Sequence, residues 1–200
     1  MKNRMILVIG GARSGKSSFA QRLAQESGRR VCFLATAEAR DGEMRERIQR
    51  HRLSRPMDWE TLEFKGGTNL GPLPPHVELI LFDCFTVYLS NLMAENGMDW
   101  PVEEEDLLPE AEVARLMAET EEDALETVDR LRDSVDTLIV VSNEVGMGVV
   151  PPFRLGRVFR DLAGRLNQGL AERADEVHLV CAGLPLRLKT RPGGRNDGYA

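Results

Sequence analysis

The segment Gly10-Gly11-Ala12-Arg13-Ser14-Gly15-Lys16-Ser17 has the spacing G-x-x-x-x-G-K-[ST] and directly follows the apolar run Met5 to Ile9. Residue types at these intervals suit the binding of a nucleoside triphosphate. The two outer glycines let backbone N–H groups turn inward around a polyphosphate, Lys16 supplies a point charge, and Ser17 offers a hydroxyl to Mg2+. A helix is expected from Ser17 to Ser27, with Phe19, Ala20, Leu23 and Ala24 on one face and Gly28 as its stop. It would aim its positive end at the anion. The plainer alternative, a glycine-rich turn before an ordinary helix, leaves the adjacent Lys16 and Ser17 without a purpose.

A second cluster lies further on. Arg45, Arg47, Arg50, Arg52 and Arg55 fall within eleven residues around His51, in a chain whose net charge is -6. Glu43 and Glu46 reach Arg47 and Arg50 at i,i+4, so a solvated helix face is one reading. Arg52 and Arg55 lie past those carboxylates, and His51 shares a helical stripe with Met44 and Ile48. Guanidinium groups nearby disfavour a second proton on the imidazole, and the neutral ring is a nucleophile. Beside a bound triphosphate it would attack the α-phosphate and expel pyrophosphate; the other reading is an ordinary surface histidine.

The elements that must position these groups alternate strand with helix. Val31 to Ala35, Leu79 to Phe82, Thr137 to Ser142 and Glu176 to Ala182 read as buried strands, and Trp59 to Glu63 as a short edge strand. Helical periodicity fills Asp41 to Leu53, Thr86 to Glu95, Glu110 to Arg132 and Arg154 to Ala174. The fold class is therefore α/β: a mostly parallel sheet of P-loop NTPase type with helices on both faces and an antiparallel C-terminal edge strand from Leu184 to Lys189. One domain is expected over 1–189, with 190–200 as a mobile tail.

Ligands of such sheets sit beyond the carboxyl ends of the strands. That rule selects Asp83 as the Mg2+-holding carboxylate, against a mere helix cap. It selects Thr36 as a nucleotide contact or a turn residue, and Asn143-Glu144 as the opening of a loop that approaches a ligand or makes a tight turn. The carboxylate-rich stretch from Met98 to Glu112 reads as a solvated surface excursion.

Composition narrows the class of partner. An acidic chain of 200 residues argues against general nucleic-acid binding, and no apolar run approaches the length that spans a membrane. Cys32, Cys84 and Cys181, odd in number and set in or beside predicted strands, suggest core thiols in the reducing cytoplasm.

Taken in order, the motifs resemble the bifunctional adenosylcobinamide kinase and adenosylcobinamide-phosphate guanylyltransferase family. The matching text is Ile9 to Ser17, Leu34-Ala35-Thr36-Ala37, Arg47 to Arg52 with Arg55-Pro56 and Trp59, Asp83, Asn91-Leu92, Ser142 to Pro151, and Phe159 to Gln168. Asn143 to Gly148 and Gly164 to Gln168 are the most specific of these. The resemblance implies that ATP or GTP phosphorylates adenosylcobinamide, and that GMP then passes from GTP through a GMP-histidine intermediate to give adenosylcobinamide-GDP. By matching, His51 is the nucleophile, and Thr36, Ala37, Glu38, Arg52, Leu53, Ser54, Arg55 and Glu63 contact nucleotide. A homotrimer is implied as well. Some members carry two consecutive histidines where this chain has Arg50-His51, and others carry Glu where Asp83 stands. Two rival functions remain open: a plain small-molecule kinase in which His51 is a bystander, and a nucleotide-gated module that binds a partner through the acidic stretch.

Overall fold

The computed structural model describes residues 3–37, 55–64, 66–101 and 108–190. Its elements are β1 (Arg4–Gly10), α1 (Lys16–Glu26), β2 (Val31–Ala35), β3 (Glu60–Glu63), β4 (Leu79–Asp83) and α2 (Phe85–Glu95), then α3 (Glu110–Ser134), β5 (Thr137–Asn143), α4 (Arg154–Arg173), β6 (Glu176–Cys181) and β7 (Leu184–Lys189). The seven strands make one sheet in the order β3-β2-β4-β5-β1-β6-β7. Every neighbouring pair is parallel except β6 and β7, as the strand-helix alternation and the final apolar alternation lead one to expect.

Successive side chains of a strand face opposite sides, so a strand covered on both faces must be apolar at every position. Met5 and Leu7 of β1 join one core, while Ile6 and Val8 join the other. The second core is closed by α1, through Phe19, Ala20 and Ala24. Helices α2, α3 and α4 cover the first face together, with Leu89 and Leu92, Val128 and Leu131, and Leu162, Leu166 and Leu170 at helical spacing. Four aromatic rings, Phe64, Phe82, Phe85 and Tyr88, pack within that layer. The Tyr88 hydroxyl donates to the Gly67 carbonyl at 3.0 Å and lies 3.2 Å from Thr127 Oγ1, fastening the loop that follows β3 to the core.

Several expectations change in detail. The helix read from Asp41 to Leu53 and the tail residues 191–200 lie outside the described residues. Met98 is buried and Trp100 packs against the core, so the acidic excursion is anchored at its start; 102–107 lie outside the described residues. Of the three cysteines only Cys32 is a core thiol; Cys84 is half-buried and Cys181 is exposed. Cys181 ends β6 at the turn into β7, where the strand runs past the packed layers. Edge strand β7 turns Leu184, Leu186 and Leu188 outward, exposed by 73%, 59% and 55%.

Candidate active site

Six parallel strands bring their carboxyl ends to one edge of the sheet. Gly10 ends β1, Ala35 ends β2 and leads into Thr36 and Ala37, Glu63 ends β3, Asp83 ends β4 and Asn143 ends β5. The register places Gly10 beside Asn143, Asp83 beside Val141 and Ala35, and Glu63 beside Ala35. The phosphate loop and Asp83 thus flank the end of β5, about 10 Å apart for two strand spacings.

The loop itself is shaped by its glycines and by contacts from distant strands. A Cβ on Gly10 would strike the Val180 carbonyl and stand 2.6 Å from Ser14 Oγ. Gly15 has φ +94, a left-handed conformation that costs a side chain but not glycine. Ser14 N–H closes a turn on the Gly11 carbonyl at 3.2 Å, and Gly183 N–H braces the Ser14 carbonyl at 2.8 Å. Gly11, Ala12 and Arg13 stay exposed at the crown. Lys16 begins α1, is 8% exposed, and folds its ammonium back over the loop to donate to the Gly11 carbonyl at 3.1 Å. Ser17 follows in the first turn of α1, which carries no acidic residue to oppose an anion.

Behind Asp83 the chain is held by uncharged groups. Thr36 is fully buried; its Oγ1 donates to the Cys84 carbonyl at 2.9 Å and accepts from the Cys84 N–H at 3.0 Å. Asn91 Nδ2 donates to the Thr36 carbonyl at 3.3 Å. In this arrangement the hydroxyl of Thr36 serves the backbone rather than standing open at the edge. Asn143 Nδ2 donates to Thr86 Oγ1 at 2.7 Å and lies 3.7 Å from Cys84 Sγ. The Asn143 carbonyl accepts from Asn167 Nδ2 at 3.0 Å, and Asn167 Oδ1 accepts from Ser142 Oγ at 2.6 Å. Glu144 N–H donates to the Gly10 carbonyl at 3.0 Å, tying the end of β5 to the start of the phosphate loop.

The electrostatics of Cys84 locate the two charges. Burial pushes its thiol up from the ordinary range and the Asp83 carboxylate pushes it further, while the Thr86 hydrogen bond and the Lys16 ammonium pull it back. Asp83 and Lys16 therefore both act on the Cys84 thiol. With Ser17, they offer hard oxygen donors and a fixed positive charge. That donor set fits Mg2+, which takes one or two protein oxygens and completes its shell with phosphate and water. Among the described residues no group of three or more His, Cys, Asp or Glu is placed to hold a metal.

The Arg55 guanidinium lies 3.3 Å over the Phe33 ring and donates to Thr61 Oγ1 at 3.4 Å. Ala37 is half-buried and Glu63 exposed. His51, Glu38, Arg52, Leu53 and Ser54 lie outside the described residues. Thr86, Ser142 and Asn167 were not singled out as site residues from sequence. Asn167 carried a signal nonetheless, being an amide on the apolar stripe of α4 between Ala163 and Leu170, where only a bonded polar group is tolerated.

The family model described as cobinamide kinase / cobinamide phosphate guanyltransferase matches residues 6–188. The bifunctional adenosylcobalamin biosynthesis protein CobP of Pseudomonas aeruginosa is 43% identical over 188 residues, covering 93% of this chain and 98% of that protein. CobU proteins of the same description from Escherichia coli and Salmonella typhimurium are each 39% identical, covering 92% of this chain and 99% of theirs. Among solved structures, the RadB recombinase aligns with 89% of the chain and 74% of its own at 14% identity and a TM-score of 0.43, too slight a likeness to carry an argument about the site. Matched along nearly its whole length by model and relatives alike, the chain belongs to the cobinamide kinase / cobinamide phosphate guanyltransferase family.

Proposed function

We propose that this chain phosphorylates adenosylcobinamide with ATP or GTP and then transfers GMP from GTP to the product, giving adenosylcobinamide-GDP. The observation that carries the reading is the convergence of Lys16, Ser17 and Asp83 on one sheet edge in a member of this family.

In the kinase step the backbone of 10–17 cradles the phosphates and Lys16 neutralises charge that builds on the transferring phosphoryl group. The corrinoid hydroxyl oxygen bonds to the γ-phosphorus as the bond to the β-phosphate oxygen breaks, and the hydroxyl proton leaves to solvent or a base. Ser17 and Asp83 would hold Mg2+, which supplies charge neutralisation to the phosphates when bound. In the transferase step an imidazole nitrogen of His51 bonds to the α-phosphorus and pyrophosphate departs. A phosphate oxygen of the phosphorylated corrinoid then takes the GMP and restores the imidazole. Glu38, Arg52, Leu53, Ser54, Arg55 and Glu63 complete the nucleotide contacts in this reading, with Thr36 and Ala37 shaping the edge beside them. We assign the active form to a homotrimer in the cytoplasm; the free cysteines fit a reducing compartment, and sedimentation of the purified chain tests the assembly.

Incubation with Mg2+ and GTP labelled at the α-phosphate should leave acid-labile, base-stable label on the protein, and none on His51→Ala. Transfer of γ-label to cobinamide without any α-label on the protein would reduce the chain to a plain kinase. No turnover with cobinamide, together with nucleotide-dependent capture of a partner, would favour a binding module instead.

A further inference from the structure

The phosphate loop and the turn that follows Asp83 flank the end of β5. The dipeptide Asn143-Glu144 spans the gap. Its second residue holds the phosphate loop, through Glu144 N–H to the Gly10 carbonyl at 3.0 Å. Its first holds the segment that follows Asp83, through Asn143 Nδ2 to Thr86 Oγ1 at 2.7 Å, with Cys84 Sγ 3.7 Å away. Asn167 of α4 fixes the dipeptide in turn, donating to the Asn143 carbonyl at 3.0 Å while Ser142 Oγ occupies its own oxygen at 2.6 Å. Asn167 and Thr86 are buried, so each of these bonds is costly to leave unmade.

We propose that Asn143 is a positioning residue which sets where Asp83 stands relative to the phosphate loop, acting through Thr86 and held in place by Asn167. The proposal rests on the nucleotide site assigned above but not on the identity of the acceptor. The Thr86 oxygen accepts the amide N–H and also lies within hydrogen-bond reach of the Cys84 sulfur, at 3.3 Å. The turn after Asp83 is thereby gripped from β5 by this chain of bonds and from β2 by Thr36.

The test uses the full chain and four variants: Asn143→Ala, Thr86→Val, Thr86→Ser and the double variant Asn143→Ala/Thr86→Val. Outer partners of a site typically change metal affinity or activity by about 10- to 100-fold. Asn143→Ala and Thr86→Val should each lower kcat for γ-phosphoryl transfer about tenfold or more, with the nucleotide KM within about threefold. The double variant should fall no further than the worse single one, because both remove one bond. Thr86→Ser, which keeps the hydroxyl, should recover the wild-type rate. A second readout needs no turnover: Mn2+ affinity of the chain bound to a β,γ-imido GTP analogue, followed by electron spin resonance, should weaken about tenfold in the same variants. Losses that multiply in the double variant, or a rise in KM alone, overturn the proposal. Wild-type protein that transfers no phosphate to cobinamide defeats the functional assignment only; unchanged Mn2+ affinity in the variants would still overturn this one.

Discussion

The two edges of the sheet are fastened by different chemistry. At the amino ends of the strands the fastenings are ionic: Arg132 donates to the carbonyls of Asn3 at 2.8 Å and Arg173 at 3.0 Å and pairs with Asp175 at 3.4 Å. Asp175 in turn accepts the Met5 N–H at 2.8 Å. Arg4 pairs with Glu176, and Arg29 with Asp136. At the carboxyl ends the bonds described between Thr36, Cys84, Thr86, Ser142, Asn143 and Asn167 involve neutral groups alone. A neutral frame of this kind places no fastening ion of its own between Lys16 and Asp83, where one would compete for phosphate and metal. The opposite edge faces no such demand and uses charge for attachment.

The contrast predicts opposite effects for removing a cation at each edge. Lys16→Ala should cut kcat by about 100- to 1000-fold, as expected for loss of a group aimed at transition-state charge, while the melting temperature stays near wild type. Arg132→Met should do the reverse, costing about 1–3 kcal/mol of unfolding free energy in urea titration with kcat unchanged. Equal rate losses in the two variants would erase the distinction between the edges.

The smallest effect concerns His178 of β6, buried against Phe19 with Glu176, Arg187 and Arg4 around it. Burial lowers its pKa from the usual histidine range, with the Glu176 carboxylate opposing and the two arginines assisting. A depressed imidazole is neutral in the folded chain and takes its proton more readily when unfolded. Stability is therefore fully present above the unfolded value near ~6.5 and is lost as pH falls toward the folded one. The drop in melting temperature between pH 7.5 and pH 5.5 should shrink in His178→Leu. A drop equal to that of wild type would move the acid sensitivity to other groups.

Much of this architecture is legible in the residues. Strands covered on both faces, such as Leu79 to Phe82, announce themselves as uninterrupted apolar runs, and the helices by their stripes, because burial on each element has its own period. The glycine and lysine spacing marks the loop between β1 and α1, and the strand-end rule picks out Asp83 at the end of β4. What stayed hidden is whatever depends on partners distant in sequence. Thr36 looks the same as a ligand contact or as a clamp on Cys84, and only the pairing of β2 with β4 decides its bonds. Asn167 reads as a flaw in an apolar stripe until Ser142 and Asn143 are brought beneath it. Cys181 reads as buried because strand periodicity carries no information about where the covering layers stop.

The brace from Gly183 to the Ser14 carbonyl has a consequence for biosynthesis on the ribosome. The nucleotide loop lies between β1 and α1, yet its strut comes from the turn between β6 and β7, which follows all six parallel strands. A growing polypeptide that has not yet emerged past position 183 lacks this support, so the loop gains its brace only after all six parallel strands have been made.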